Sequence, residues 1–211
     1  MRLILVRHGD AYAGFHGVIG GPTGCTGLTP LGRQQAAALR DHLASSGRVR
    51  ADVLVSSIIP RAIETAEIIA PGLGIETFSR DCGLCEVHTG EADGLEWAEW
   101  SDRYGSFAME SEPDRVFAPG GESWNSFHER VRRTLTRLAT EHEDRTVVAA
   151  CHAGLITASV RLLLGVDPLA PGARLLPTNT GLTELGWEPA AGRWTLRSFN
   201  EASHLLAPVS G

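Results

Sequence analysis

Two short, wholly apolar runs, far apart in the sequence, constrain this chain more than anything else in it. Leu3-Ile4-Leu5-Val6 stands near the start and Val147-Val148-Ala149-Ala150 near residue 150. Neither alternates with polar residues. Each therefore reads as a strand buried on both faces, which requires helices on both sides of a sheet. The segments between and after them supply those helices. Thr29 with Pro30 reads as an N-cap and the first helical residue, and Leu31, Leu39 and Leu43 then share one side, with Ala36 nearby. Asp52 to Ser57 reads as another strand. Pro60 opens a helix with Ile63, Ala66 and Ile69 on its apolar face, ended by Pro71 and Gly72. Ser126 with Glu129 predicts a capping box ahead of Phe127, Val131, Leu135 and Leu138. A helix is predicted over 154–164 and late strands over 178–186 and 194–200. Strands alternating with amphipathic helices predict an α/β fold of three layers, a central sheet flanked by helices.

A length of 211 residues suits one domain with a full core, so 1–211 is expected to be a single domain. Residues 87–121 fit neither pattern. They carry Trp97, Trp100, Tyr104, Phe107 and Phe117 among many acidic residues. The segment reads as an insertion packed over one end of the sheet, its aromatics forming either a satellite core or the wall of a pocket.

A formal net charge of -6 argues against a nucleic-acid partner, which needs a basic surface. It leaves room for a locally positive pocket. The apolar run at Leu3 is too short for a signal peptide, and no run approaches the roughly 20 apolar residues of a membrane helix. No membrane partner and a cytoplasmic location are the expectation. Cys82 and Cys85 form a lone C-x-x-C without a second ligand pair in the sequence, so free thiols in a reducing compartment are expected.

Three apolar strands end in polar groups that carry chemistry. Arg7 and His8 follow the first, Arg61 begins the helix after the second, and His152 follows the third. In open α/β sheets ligands bind outside the carboxyl ends of the strands. Taken singly, each residue reads as a polar strand end or a hydrogen-bonded core group. Together they deliver two arginines and two histidines to one edge. Arginine forks match phosphate oxygens two at a time. A neutral imidazole can attack phosphorus and hold the phosphoryl group covalently, and a second can donate to its oxygens. The N–H groups near Ala153 and Gly154, at a helix start, can add to that pocket. Glu86, in the loop before the aromatic segment, is the candidate proton donor and acceptor, although spacing does not separate it from Glu64 or Glu91.

These residues resemble the histidine phosphatase superfamily, also called phosphoglycerate mutase-like. The signature stands as Leu5-Val6-Arg7-His8-Gly9. Leu28-Thr29-Pro30-Leu31-Gly32 with Gln35-Ala36, Ser56-Ser57 with Arg61-Ala62 and Thr65-Ala66, Leu84-x-Glu86-x-x-x-Gly90, Pro119-Gly120-Gly121-Glu122-Ser123 and Cys151-His152-Ala153-Gly154 are similar to its further elements, in order. The resemblance implies a mostly parallel sheet and a phosphatase needing neither metal nor other cofactor. His8 would be the phosphate acceptor, with Arg7, Arg61, His152 and Ala153 completing the phosphate pocket and Glu86 as proton donor and acceptor. The partner would be a small-molecule phosphate ester. Asp10-Ala11 and Gly14 depart from the usual pattern, which bears on the substrate. Three alternatives stand beside the phosphatase. They are a mutase of the same family, a non-catalytic phosphate-binding protein on the same fold, and a metal-dependent hydrolase. The eight histidines show no H-x-H or H-x-x-x-H ligand pattern for the last.

Overall fold

The computed structural model describes residues 1–166 and 174–206. Its elements run β1 (Arg2–Arg7), α1 (Tyr12–Phe15), α2 (Pro30–Ser46), β2 (Val53–Ser56), α3 (Pro60–Ile69), β3 (Ser79–Arg80), α4 (Trp97–Tyr104), α5 (Trp124–Glu141), β4 (Thr146–Cys151), α6 (Ala153–Leu164), β5 (Leu182–Glu188) and β6 (Arg193–Glu201). One six-stranded sheet has the order β3-β2-β4-β1-β5-β6. β1 through β4 are mutually parallel, and β5 runs antiparallel to both β1 and β6. The sheet is mixed, and its parallel part holds the two apolar runs side by side, Leu3 opposite Val147 and Val6 opposite Ala150.

Because side chains alternate across a strand, each run feeds two cores. Leu3, Leu5, Val147, Ala149 and Cys151 pack with Phe127, Val131, Leu135 and Leu138 of α5 and Leu155, Ile156 and Ala158 of α6. Ile4, Val6, Val148 and Ala150 pack on the other face with Leu39 and Leu43 of α2 and Ala66 and Ile69 of α3. This is the physical reason the runs show no polar positions.

Four local expectations need correction. The capping box of α5 is Ser123 with Ser126, not Ser126 with Glu129. Ser126 Oγ takes the role a glutamate side chain often plays, so the helix starts one turn earlier. Leu31 is 54% exposed. The inward stripe of α2 runs Gly32, Ala36, Leu39, Leu43, one residue off Leu31, because Gly32 occupies the contact with the Asp10 backbone that no larger residue fits. α3 ends at Ile69, and Pro71 and Gly72 fall in a 3-10 turn over Ala70–Leu73. The expected strand from 178 begins at Leu182.

The aromatic segment does form a satellite core. Trp100, Phe117, Ala118 and Ala92 bury against Ile19, with Leu95, Tyr104, Phe107 and Met109 packed around them. Trp100 Nε1 donates to the Phe117 carbonyl at 2.8 Å. The segment is tied to the loop after β1 by Ile19 N–H to Leu95 O and Gly94 N–H to Ile19 O, both 2.8 Å. None of the described helices is long and apolar enough to cross a membrane.

Candidate active site

The parallel strands β1, β2 and β4 end along one edge, and their last residues bring the expected groups together. His8 N–H donates to Cys151 O at 2.9 Å, which locks the exit of β1 to that of β4. The His8 and His152 rings lie 5.2 Å apart, centroid to centroid. Arg61, in the first turn of α3, donates from Nε to His8 Nε2 at 3.1 Å.

His8 Nδ1 lies 2.7 Å from the Gly9 carbonyl. That oxygen only accepts, so Nδ1 carries the hydrogen. Nε2, accepting from Arg61, is left with the lone pair. Burial and then the neighbouring Arg61 charge hold His8 well below the usual histidine value, so the ring is neutral at neutral pH. Asn179 Nδ2 donates to the His8 carbonyl at 2.9 Å. Thr65 Oγ1 accepts Gly9 N–H at 3.1 Å. The next residue after Asn179, Thr180, is fully buried with φ 60°, a strained setting for a β-branched side chain. Its N–H donates to Arg7 O at 2.9 Å.

His152 is wholly buried, and burial, followed by the Arg61 charge and the nearby His8 ring, holds it well below the usual value. Its Nε2 lies 2.8 Å from Ser57 Oγ, and its Nδ1 is buried without a partner. Ser57 Oγ already accepts Ile59 N–H at 3.1 Å. Its hydroxyl can therefore donate to His152 Nε2, leaving the hydrogen on Nδ1. Arg7 donates from Nη1 to Pro177 O at 2.6 Å, while its Nε is buried without a partner, as is Thr89 Oγ1. Three polar atoms around one site thus lack partners.

Glu86 separates from its rivals on geometry. Its Oε2 accepts Gly154 N–H at 2.9 Å, at the start of α6. Glu64 is engaged elsewhere, accepting from Leu28 N–H and Arg33, and Glu91 is exposed. The approach of Glu86 to α6 demands glycine at 154, because a Cβ there would collide with the carboxylate. It also corrects one expectation. The Gly154 N–H is spent on Glu86, and neither Ala153 nor the wholly buried His152 is among the residues that line the cavity.

A clamp the sequence reading did not single out holds the Glu86 loop. Arg130 of α5 donates to the Gly83, Cys85 and Glu86 carbonyls at 2.9 to 3.0 Å. It grips Glu122 through Nε and Nη2 at 2.7 and 2.8 Å. Arg130 and Glu122 are 11% and 13% exposed. Thr89 and Asn179 were missed as well, since nothing in a lone threonine or asparagine marks it before the fold is known, and Ser57 was named only within the Ser56-Ser57 element, with no role of its own.

Arg7, His8, Arg61, Glu86, Thr89 and Asn179 open on a cavity of about 400 Å³. Val18, Ile19, Val87, Trp97, Met109 and Phe117 give its lining an apolar part. One end of the cavity suits an anion with several oxygens, and the other a nonpolar body.

The chain matches the family model described as the histidine phosphatase superfamily (branch 1) over residues 3–202. It is 28% identical over 207 residues to a metal-independent phosphoserine phosphatase of Arabidopsis thaliana, covering 96% of this chain and 82% of that protein. It is 31% identical over 173 residues to phosphoserine phosphatase 1 of Hydrogenobacter thermophilus, covering 79% and 78%. Among solved structures, a phosphoserine phosphatase of Entamoeba histolytica in complex with 3-phosphoglyceric acid superposes with a TM-score of 0.76 at 30% identity, over 97% of this chain and 99% of that one.

Proposed function

This chain belongs to the histidine phosphatase superfamily, and we propose that it hydrolyses a small phosphomonoester through a phosphohistidine on His8. The observation that carries the reading is the convergence on His8 Nε2. A neutral ring with its lone pair on Nε2 stands beside Arg61, Arg7 Nε and Thr89 Oγ1 are buried without partners on residues that line the cavity, and His152 Nδ1 is unpartnered on the ring packed next to His8. A phosphoryl group has the oxygens to meet all of them.

In this reading the phosphoryl oxygens take over the Arg61 N–H and accept from Arg7 and His152 Nδ1–H. His8 Nε2 attacks phosphorus as the bond to the leaving oxygen breaks, and Glu86 gives that oxygen its proton. The resulting carboxylate then takes a proton from water. The water oxygen bonds to phosphorus, the Nε2–P bond breaks, and inorganic phosphate leaves. Arginines and a histidine N–H meet the charge that builds on the phosphoryl oxygens.

We further assign the segment 87–121 as an insertion that shapes the leaving-group side. Beyond the phosphate end, the described lining residues include no cation to pair with a carboxylate, and Trp97, Met109 and Phe117 offer apolar surface. An uncharged, apolar or ring-shaped leaving group fits that wall better than a second anion. The four cysteines are free, which supports a reducing compartment such as the cytoplasm.

The test is phosphate release from a panel of phosphomonoesters with EDTA present, by wild type and by His8→Ala. The panel includes aryl phosphates, phosphoserine and 3-phosphoglycerate, the last with a readout for 2-phosphoglycerate. We expect release by wild type, a loss of about four orders of magnitude or more in the variant, and aryl phosphates ahead. Isomerisation without release would replace the phosphatase by a mutase. A preference for the short anionic esters would overturn the assignment of the apolar wall.

A further inference from the structure

The loop that delivers Glu86 also carries three side chains that the proposed reaction does not use. Cys82 and Cys85 lie at either end of a tight 3-10 turn, Cys82–Leu84 and its cap, and His88 follows Glu86 by two residues. The two sulfurs and a ring nitrogen all lie within 4.8 Å of one another. Cys82 Sγ stands 3.3 Å from His88 Nε2. The sequence offers the C-x-x-C no second pair of ligands, and the fold supplies a third ligand from the same loop.

His88 is also oriented from behind. Its Nδ1 faces Glu122 Oε1 at 3.6 Å, and Glu122 is itself gripped by Arg130. Metal-bound histidines characteristically give their other N–H to a carboxylate, which fixes the tautomer and frees the opposite nitrogen for the ion. Here the free nitrogen is Nε2, the one beside Cys82.

We propose that Cys82, Cys85 and His88 form a binding site for a zinc-type, thiophilic divalent cation. Two thiolates and a neutral imidazole suit zinc and exclude the oxygen-seeking calcium and magnesium. With Zn–S near 2.3 Å and Zn–N near 2.0 Å, tetrahedral ligands stand roughly 3.5 to 3.8 Å apart. The observed spacing reaches this with small side-chain movements. Cys82 is exposed and Cys85 buried, so the ion enters at Cys82 and a water takes the fourth position. Binding expels the two thiol protons to solvent.

The site reaches the catalytic groups through one hydroxyl, a link that rests on reading His152 Nδ1–H as a donor to the phosphoryl group. Ser57 Oγ lies 3.4 Å from Cys85 Sγ and 2.8 Å from His152 Nε2. It has one hydrogen to give. Facing a neutral thiol, it gives that hydrogen to His152 Nε2. Facing a metal-bound thiolate, it gives it to sulfur. His152 must then donate from Nε2, and its Nδ1 loses the hydrogen the phosphoryl group needs. Zinc on this loop therefore slows turnover without entering the phosphate cavity.

The experiment titrates the reduced protein, Cys82→Ser and His88→Gln with Co²⁺ as a spectroscopic probe and Zn²⁺ as competitor, and measures phosphate release in parallel. We expect one equivalent of Co²⁺ with thiolate-to-metal charge transfer, displaced by Zn²⁺ and absent in Cys82→Ser. His88→Gln should weaken binding by more than the roughly 10- to 100-fold lost when a merely supporting group is removed. Zn²⁺ should slow wild type several-fold and leave Cys82→Ser, whose metal-free turnover matches wild type, unchanged. No charge-transfer band in wild type, or equal cobalt binding by Cys82→Ser, overturns the site. Binding with no loss of turnover overturns the Ser57 relay and upholds the site. The absorbance needs no substrate, so a failure of the phosphatase reading shows separately, as a protein that binds cobalt and releases no phosphate.

Discussion

His8 divides its two nitrogens between two tasks, and the division is set by a backbone carbonyl. The Gly9 oxygen takes the Nδ1 hydrogen and leaves Nε2 as a lone pair beside Arg61. His8 and His152 are both held well below 6.5, so the folded state resists protonating either. The unfolded chain binds those protons near pH 6.5. Folding stability is therefore full above about pH 6.5 and falls as pH drops below it, towards the depressed folded values. We expect Tm to be flat above neutrality and to decline below about pH 6.5, less steeply in His152→Gln. An unchanged slope in that variant would remove His152 from the account. Gly154→Ala makes a second residue-scale prediction. The new methyl collides with the Glu86 carboxylate, and a misplacement of about 1 Å costs about 100-fold in turnover, with wild-type protein as the comparison in the same phosphate-release assay. The sequence made Arg7, His8, Arg61 and His152 legible because each ends a strand or opens a helix that an apolar run announces. Glu86 was reached through the resemblance. The geometry that sets it apart from Glu64 is a contact with α6, which no spacing encodes.

Among the elements, α5 does more than cover the sheet. Its outer edge sends Arg130 into the loop 83–86, where the guanidinium satisfies three carbonyls and pairs with Glu122. Removing one partner of so shielded a pair leaves an uncompensated charge and costs about 3 to 5 kcal/mol. We expect Arg130→Leu to lose about that much in urea unfolding and to slow turnover through the displaced Glu86 loop. Arg130→Lys should not rescue it, since a point charge cannot reproduce the planar fork. A Lys variant with wild-type stability would show that charge alone suffices. The N-terminus of α5 shows where pattern reading slips. Ser126-x-x-Glu129 satisfies the capping-box pattern, but Ser123 caps the helix one turn earlier and closes the box with a serine. A hydroxyl in place of a glutamate is invisible to the pattern. The start of α2 was legible because Thr29-Pro30 combines two independent signals, and Thr29 Oγ1 does accept Gly32 N–H at 3.1 Å.

Across the whole molecule, one sheet separates two cores. Phe127, fully buried, packs with Leu3, Leu5 and Val147 on one side of it. Phe127→Ala should destabilise by about 3 to 5 kcal/mol in urea unfolding. A loss below 1 kcal/mol would mean that the core collapses around the gap. The layered class was legible because the apolar runs had to be covered twice. The strand order was not. That β4 lies between β1 and β2, and that β5 turns antiparallel against β1, depends on pairings between distant segments that leave no local mark. The same pairings govern the order of events as the chain is made. β1 is laid down before β4 and β5, yet these distant strands are its partners. Contacts so far apart in sequence form slowly, and during synthesis they cannot form until the late strands have left the ribosome. His8, which precedes β4 and β5 by well over a hundred residues, thus waits for both to give it a site, and a chain that stops short of them lacks the assembled pocket.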